Sequence, residues 1–397
     1  MRIEFNKVWQ QLAIATNWPV LVAVAVLSAM GLISILAANP GDAYKQCIFL
    51  AVSVGCMALF QAVNYQVLGR FAWSFYILSM GLIIYTVIGG VAANHGHPIP
   101  GVHNTKGVYA WINFGQFSLE PAELMKIAFV MVLARYLRFR SNYRTLRGLV
   151  APFALALVPL VLILKQPDLG MAMIFPPVLF TMLFVAGARV KHLLLIMALG
   201  IFLLPAVWFS GGKNIPVLRH GPELVKKYQR ERLLAWLDAN NPSQRQRKAY
   251  QTYRAMVAFA SGSFAGKGFG NIPVGKSVPE SHNDMIFALI GEQFGFFGAA
   301  VLLVSYLVLF AAGVEISSGT RDPFGRLVAI GIVSALACQT FINLMVCTGL
   351  MPVTGITLPF VSYGGSSLAA SFMEAGLLLN IGQNRPIVMA KESFEFE

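Results

Sequence analysis

The chain has 397 residues, of which 57% are hydrophobic and only 12% are charged. Soluble globular domains carry about 25% charged residues, so this composition excludes an ordinary soluble protein and indicates an integral membrane protein. Basic residues outnumber acidic ones, 30 against 17, which gives a formal net charge of +13. Such an excess favours contact with anionic lipids or phosphates.

Apolar stretches of about 20 residues, long enough to cross a hydrocarbon core as a helix, recur along the chain. They are unbroken rather than alternating, which favours helices over a membrane β-barrel. We predict an all-α integral membrane protein, a single polytopic domain over residues 1–397 with about ten transmembrane helices. The predicted spans lie near 19–38, 45–64, 69–92, 121–137, 149–164, 170–187, 192–209, 285–312, 326–350 and 366–382. All four cysteines fall within predicted helices and are interpreted as small buried hydrophobes: Cys47, Cys56, Cys338 and Cys347.

Charge in the short connections predicts the orientation of the chain. The segments RFRSNYRTLRG (138–148), ARVKH (188–192) and RDPFGR (321–326) are basic, whereas ANPGDAY and KQPDLG are nearly neutral. By the positive-inside rule, the basic side is cytoplasmic. We therefore predict a multi-pass protein of the cytoplasmic (inner) membrane with both termini in the cytoplasm.

The segment 210–283 then forms one large, basic extracytoplasmic loop. Loops this long cross the membrane largely regardless of charge, so the loop is compatible with the predicted orientation. Nucleic acid is a poor candidate ligand on the outer face of a membrane protein, which leaves anionic lipid head groups or phosphates. LVKKYQRERLLAWLD (224–238) is predicted to be an amphipathic helix, and RQRKAYQTYRAMVAFASGSF a second one. SGSFAGKGFGN lacks the spacing and the Ser or Thr of an ATP-binding phosphate loop.

Few charged residues stand inside the apolar segments, where each costs about 2.5–3.5 kcal/mol on insertion scales. Glu123 and Lys126 are spaced i, i+3 on a predicted helix and can pair on one face. Two interpretations stay open: the pair neutralises itself so that the helix inserts, or it lines a polar cavity. Asp168 in KQPDLG is either part of a turn between two helices or a ligand-binding residue.

The segment MPVTGITLPFVSYGGSS (351–367) combines two prolines, three glycines and several hydroxyl groups. Non-helical backbone at membrane depth is tolerated only where protein buries it or water reaches it. We predict a re-entrant segment that borders a cavity, with Ser362 and Tyr363 as candidate substrate contacts.

Asp284 precedes the apolar stretch that begins near residue 285, and Glu292 lies inside that stretch. An aspartate at this place is a good helix N-cap, so capping alone is one interpretation. It acts as a catalytic base only if an oxygen remains available to substrate. Glu292 either faces the same interior or bonds a neighbouring helix. The histidines of NHGHPIPGVHN have only loose metal-like spacing.

Four blocks in order resemble the SEDS family (shape, elongation, division, sporulation), whose members include RodA and FtsW. The blocks are WINFGQFSLEPAELMK (111–126), KQPDLG (165–170), YQRERLLAWLD through PESHNDMIFALIGEQFG (228–295) and PVTGITLPFVSYGGSS (352–367). Their joint order and spacing extend the resemblance over nearly the whole chain. The short N-terminal segment and the YQRERLLAWLD run favour the elongation, RodA-like type over the division type.

The resemblance implies a ten-helix fold and an inverting peptidoglycan glycosyltransferase that polymerises lipid II outside the cytoplasmic membrane. It also implies a partner, a class B penicillin-binding protein that crosslinks the strands. The family's essential aspartate falls on Asp284, which we interpret as the general base. Cationic groups would stabilise the departing pyrophosphate. The candidate substrate-binding residues are Glu123, Lys126, Asp168, Lys267, Arg230, Arg232, Ser362 and Tyr363.

The chain departs from the family pattern at several positions. Ala110 stands where the family commonly has arginine, and Lys106 is the candidate substitute. Glu120 replaces a usual glutamine. Arg254 replaces a small polar residue. These departures leave the role of the 111–126 segment open.

Other activities fit the same sequence. A lipid II flippase would also need polar groups within many spans, and a membrane scaffold for cell-wall synthases would explain the spans alone. The polar residues cluster near one face and no internal repeat is visible, which favours the polymerase. No cofactor is certain; a divalent cation, with Asp168 or Glu123 as candidate ligand, is one option.

Overall fold

The computed structural model describes residues 17–102, 108–115, 117–140, 142–166, 168–209, 227–237 and 250–383. Within these ranges the chain forms thirteen α-helices and one short hairpin. The helices are α1 (Trp18–Ala38), α2 (Pro40–Ala62), α3 (Tyr65–Arg70), α4 (Ala72–Asn94), α5 (Pro121–Phe139), α6 (Leu146–Lys165), α7 (Leu169–Ala186), α8 (Val190–Phe209), α9 (Lys227–Leu237), α10 (Tyr250–Ser261), α11 (Ile286–Gly319), α12 (Pro323–Cys347) and α13 (Gly365–Gln383). The antiparallel hairpin pairs β1 (Ile112–Phe114) with β2 (Phe117–Leu119) just before α5.

The prediction of an all-helical membrane protein is confirmed. Of the described helices, α1, α2, α4, α6, α7, α11 and α12 are long and apolar enough to cross a membrane. The other three predicted spans are helical too, as α5, α8 and α13. However, α5 carries four charged side chains, and only Val190–Leu203 of α8 forms a shorter apolar stretch. The count of ten spans therefore stays a prediction.

The centre of the bundle is formed by α5, α12 and α13, whose side chains are mostly buried. Helix α13 packs along α2, α11 along α1, and α12 lies between α5 and α7. Where α13 meets α2, a Cβ on Gly376 would come within 2.5 Å of the Met57 carbonyl oxygen. Glycine is thus required for the close approach of these two helices, as is common between membrane helices.

Helix α11 is divided by a kink, which differs from the single uninterrupted span predicted there. Gly295 has φ 61° and ψ −154°, a conformation that is essentially restricted to glycine. A Cβ on this residue would also meet the backbone of Phe264 and Gly266 at about 2.5 Å. The residues of α11 before the kink are buried except Phe294, which is partly exposed.

The segment between α12 and α13 has no helix or strand, as the predicted re-entrant segment requires. Side chains of neighbouring helices satisfy its carbonyl groups: Asn343 donates to Ile356 at 2.7 Å and Gln46 donates to Ser362 at 3.1 Å. Tyr306 donates to Pro359 at 2.5 Å. Non-helical backbone is therefore stable here because protein surrounds and hydrogen-bonds it.

The cysteines lie in helices as predicted, but the expectation of burial was wrong for most of them. Only Cys347 is buried; Cys56 and Cys338 are partly exposed, and Cys47 is exposed on α2. The side of a membrane helix that faces lipid is as apolar as the side that faces other helices. Location in a helix therefore did not predict which cysteines are buried.

Candidate active site

The turn before α11 is fastened to the non-helical segment before α13. The amide of Asn343 bridges the two, since it donates to the carbonyl of Asp284 at 2.8 Å as well as to Ile356. The Ser362 hydroxyl donates to the Asn283 carbonyl at 2.5 Å, and the Tyr363 N–H donates to the His282 carbonyl at 2.9 Å. Two of the four sequence blocks, 228–295 and 352–367, thus contact each other around Asp284.

The carboxylate of Asp284 is hydrogen-bonded by Gln251, a residue of α10. The amide of Gln251 donates to both carboxylate oxygens, at 3.1 and 3.3 Å, and to the Pro279 carbonyl at 3.2 Å. The side chain is nearly buried but keeps 9% of its surface exposed. The N-cap of α11 is Met285, with no side-chain cap bond, so the capping interpretation does not account for the aspartate. Gln251 was missed because nothing in its local sequence marks it.

A second cluster of charged groups is enclosed between α5, α12 and α13. The Lys126 ammonium lies 3.1 Å from Glu123, 3.4 Å from Glu374 and 2.7 Å from the amide oxygen of Gln339. All four residues are at most 2% exposed. The predicted pair therefore exists, but as part of a larger cluster. Helical spacing could predict only the pair on one helix.

This cluster holds more negative than positive charge. Two carboxylates face one ammonium, and Glu374 Oε2 has no hydrogen-bond partner among the described residues. An excess buried charge is costly, so both carboxylates depend on the Lys126 ammonium for compensation. Gln339 then extends the cluster outward, because its amide donates to the Thr357 carbonyl at 3.1 Å. The cluster is thereby connected to the segment that contacts Asp284.

Asp168 caps α7 and shares a hydrogen bond with Glu120. Its carboxylate accepts from the Met171 N–H at 3.0 Å, which is the turn interpretation of KQPDLG. Burial raises the pKa of Asp168 to about 6, although bonds from Met171 and Glu120 act in the opposite direction. Burial, and next the charge of Asp168, raises the pKa of Glu120 well above its usual range. Because the pKa of Glu120 is the more strongly raised, Glu120 is the proton donor in its hydrogen bond with Asp168.

Glu292 is completely buried and fastens the glycine-rich loop to α11. It accepts from the Lys267 ammonium at 2.6 Å and from the N–H groups of Val274 and Gly275 at 3.2 and 2.5 Å. The loop amides of Lys267 and Gly268 donate to the carbonyls of Glu292 and Gln293. The second interpretation of Glu292 was bonding to a neighbouring helix, but the structure shows these bonds to the loop before α11 instead.

Helix α9 places the predicted arginines beside the non-helical segment. Arg232 donates to the Val353 carbonyl at 3.2 Å, and the Trp236 indole donates to the Gly349 carbonyl at 2.8 Å. Arg232 is exposed and Arg230 is partly buried. Both predicted loop helices are found, as α9 and α10. The rest of the predicted loop, 210–226 and 238–249, lies outside the described residues, as do His103 and Lys106.

Tyr363 and Ser362 play different parts. The Ser362 hydroxyl is 2% exposed and bonds backbone groups, including the Leu358 N–H at 2.8 Å. Tyr363 is half-buried and meets the His282 ring edge-on at 5.4 Å. His282 Nε2 lies 3.7 Å from an Asp42 oxygen. In the described ranges, no group of three or more His, Cys, Asp or Glu side chains is arranged to hold a metal ion.

The fold and the site define a polytopic membrane protein whose buried carboxylates, among the described residues, gather towards one end of its helix bundle. A family model described as "Cell cycle protein", FtsW/RodA/SpoVE, matches residues 8–386. The chain belongs to this family, so the predicted SEDS membership is confirmed.

Named relatives and solved structures agree with the family assignment. The chain is 32% identical to "Probable peptidoglycan glycosyltransferase FtsW" of Geobacter metallireducens, over 85% of this chain and 84% of the relative. It is also 32% identical to "Stage V sporulation protein E" of Bacillus subtilis, over 86% and 87%. A structure titled "Structural coordination of polymerization and crosslinking by a peptidoglycan synthase complex" aligns with TM-score 0.76 and 29% identity, covering 93% of this chain and 98% of that one. The crystal structure of Thermus thermophilus rod shape determining protein RodA aligns with TM-score 0.66 and 26% identity, covering 93% and 97%.

Proposed function

We propose that this protein is an inverting peptidoglycan glycosyltransferase that polymerises lipid II into glycan strands at the outer face of the cytoplasmic membrane. The observation that carries the proposal is the Asp284 carboxylate. It is nearly buried, yet Gln251 orients both of its oxygens where α10, α11 and the non-helical segment meet. Relatives named as peptidoglycan glycosyltransferases align over most of the chain and support the assignment.

Asp284 acts as the general base in this proposal. A sugar hydroxyl of the acceptor attacks the anomeric carbon of the donor, and its proton passes to the Asp284 carboxylate. The new glycosidic C–O bond forms as the bond from the anomeric carbon to the pyrophosphate oxygen breaks, and the polyprenyl pyrophosphate leaves with the electron pair. A single displacement of this kind inverts the anomeric configuration and needs no protein nucleophile.

The leaving pyrophosphate carries charge that cations must stabilise. We assign this role first to Arg232 and Arg230, because α9 is docked on the segment that contacts Asp284. Lys126 and Lys267 fit a direct role less well, since both ammonium groups lie against buried carboxylates. Arginine also binds phosphate oxygens through two parallel N–H bonds, which suits a diphosphate.

The buried cluster acts on the site from a distance. Lys126 contacts Gln339, and Gln339 holds the Thr357 carbonyl, so a change in the cluster is expected to move the segment that carries Ser362 and Tyr363. We therefore propose that Glu123, Lys126 and Glu374 are positioning residues. Glu120 and Asp168 form the remaining polar pair, and Asp168 lies within electrostatic range of Arg232.

The proposed partner is a class B penicillin-binding protein, which would crosslink the strands made here. The solved complex with which this chain aligns is titled as one that coordinates polymerization and crosslinking, and that title is the ground for the proposal. A lipid II flippase is the second candidate function. The buried carboxylates of the described residues, Glu123, Asp284, Glu292 and Glu374, lie towards the Asp284 end of the bundle, which favours chemistry at one membrane face over passage through the middle.

Reconstitution tests the proposal. Purified protein, alone and with its transpeptidase, is supplied with labelled lipid II in liposomes, and glycan chain length and lipid transfer between leaflets are both measured. We expect polymer from the wild type and none from Asp284→Asn. The matched control Asp322→Asn, the same chemical change at the opposite end of the bundle, should still polymerise. Polymer made by Asp284→Asn would exclude Asp284 as the general base. Transfer of lipid II between leaflets without polymer would establish that the protein is a flippase.

A further inference from the structure

A separate basic pocket lies at the other end of the bundle. It encloses about 330 Å³ and is lined by the side chains of Gln66, Arg70, Arg135, Arg138, Phe139 and Phe324. Phe324, in the first turn of α12, lines this pocket, and Asn343, which bonds Asp284, follows 19 residues later on the same helix. At a rise of 1.5 Å per residue, the two sites are about 28 Å apart. The pocket is therefore not part of the candidate active site.

Three arginines converge on this small volume. Arg135 and Arg138 are one turn apart on α5, and Arg70, at the end of α3, lines the same pocket. Among the described residues, their acidic contact is Asp322, 3.3 Å from Arg138. Arg135 donates to the carbonyl of Gly69, which also lines the pocket. Three positive charges against one negative charge leave the walls with a net charge of +2, so an anion would relieve their repulsion.

The chemistry of the walls selects the kind of anion. Guanidinium groups present planar forks that match phosphate oxygens, and three of them around one cavity favour phosphate over a halide. The volume is at the lower end of the range of about 300–1,000 Å³ for small-molecule sites, which suits a head group. Beside the arginines, the Phe139 ring is 69% exposed, so an apolar surface continues outward from the charged walls.

We propose that this pocket binds a phosphate group, with the head group of an anionic phospholipid as the favoured source and free phosphate as the other. The lipid source is favoured by the juxtaposition of three arginines with the exposed Phe139 at the end of a helix bundle that crosses the membrane. A phosphodiester would sit between the guanidinium groups, and an acyl chain would lie along the ring. Basic pockets between membrane helices are known as a general form of lipid head-group site.

Native mass spectrometry tests the lipid source. The protein is released from micelles that contain equal amounts of phosphatidylglycerol and phosphatidylcholine, and retained lipids are counted. We expect the wild type to retain phosphatidylglycerol, and the double variant Arg70→Gln/Arg138→Gln to retain at least fivefold less. The control is Arg321→Gln, which removes an exposed arginine at the same end of the bundle but outside the pocket. It should retain as much lipid as the wild type.

A second measurement identifies a soluble source. The protein in phosphatidylcholine nanodiscs is titrated with inorganic phosphate at constant ionic strength, and heat of binding is measured for the same variants. If the protein binds phosphate but does not selectively retain phosphatidylglycerol, the pocket is a phosphate site whose ligand is the free anion. Arg70→Lys/Arg138→Lys, which keeps the charge without the planar forks, should lie between the wild type and the glutamine variant. The proposal is overturned if wild type and a folded glutamine variant do not differ in either measurement.

Discussion

Two lysine–glutamate pairs with buried carboxylates differ in how completely those carboxylates are satisfied. Around Glu292, one ammonium and two backbone N–H groups meet one carboxylate. Around Lys126, one ammonium meets two carboxylates, and one Glu374 oxygen has no hydrogen-bond partner in the described part of the chain. A satisfied ion pair can be explained by structure alone. A buried ion pair with an excess of charge, close to a proposed active site, indicates a group whose charge or position contributes to activity.

The largest effect is expected from Lys126→Met, which leaves two buried carboxylates without their cation. Removing one partner of a buried ion pair typically costs about 3–5 kcal/mol. We expect that loss in the free energy of unfolding, measured by denaturant titration in detergent, together with loss of polymer. Adding Glu374→Gln to Lys126→Met should recover part of the stability. Additive losses in the double variant would show that the two side chains are not coupled.

A smaller loss is expected from Glu292→Gln. The amide oxygen can still accept from Gly275 and Val274, but the charge-assisted bond with Lys267 is lost, at a cost of about 1.5–3 kcal/mol. Lys267 is 26% exposed, so its ammonium can turn towards water. Thermal unfolding in detergent measures the change. Lys267→Met should lower the unfolding temperature as well, and stability equal to the wild type in both variants would contradict a fastening role.

The raised pKa of Asp168 predicts that the stability of the protein depends on pH. Its folded pKa of about 6 lies above the usual value of 3.8, so the folded state binds more protons between these values. Its contribution to stability is therefore greatest at low pH and is lost as pH rises through this window to about 6. Asp168→Asn keeps an N-cap for α7 but cannot ionise. Comparing unfolding temperatures at pH 4.5 and 7, we expect the variant to gain stability relative to wild type at pH 7. An equal difference at both pH values would refute the shift.

The smallest change in stability is expected from Glu374→Gln alone. Because the cluster has one carboxylate in excess, this substitution leaves a balanced Lys126–Glu123 pair, and stability should change by less than about 1 kcal/mol. Polymerisation should nevertheless fall, since the Lys126–Gln339 contact that reaches Thr357 is altered. Glu123→Gln is the comparison: it removes the partner on the same helix. Wild-type polymerisation by Glu374→Gln would remove Glu374 from the proposed positioning residues.

The separation along the chain between contacting residues explains which of them could be found from the sequence. Glu123 and Lys126 are three residues apart on one helix, so helical spacing predicted their contact. For Asp168, a turn between two helices was one of the two interpretations, and the structure shows the residue as the N-cap of α7. Glu374, Gln339 and Gln251 were missed, because their contacts join residues that are between 33 and 248 positions apart, and no local pattern encodes how α5, α12 and α13 pack.

The sequence by itself determined that this is a helical membrane protein of the SEDS family. Apolar runs of fixed length suffice for the helical membrane fold, since a helix satisfies its backbone bonds within its own segment, whereas the four ordered blocks carry the family resemblance. Only the tertiary structure decided what surrounds each charge. It placed Gln251 on Asp284, joined two carboxylates to Lys126, and gathered three arginines from two helices into one pocket. Those contacts depend on which helices are neighbours, and side-chain packing between distant segments sets that arrangement.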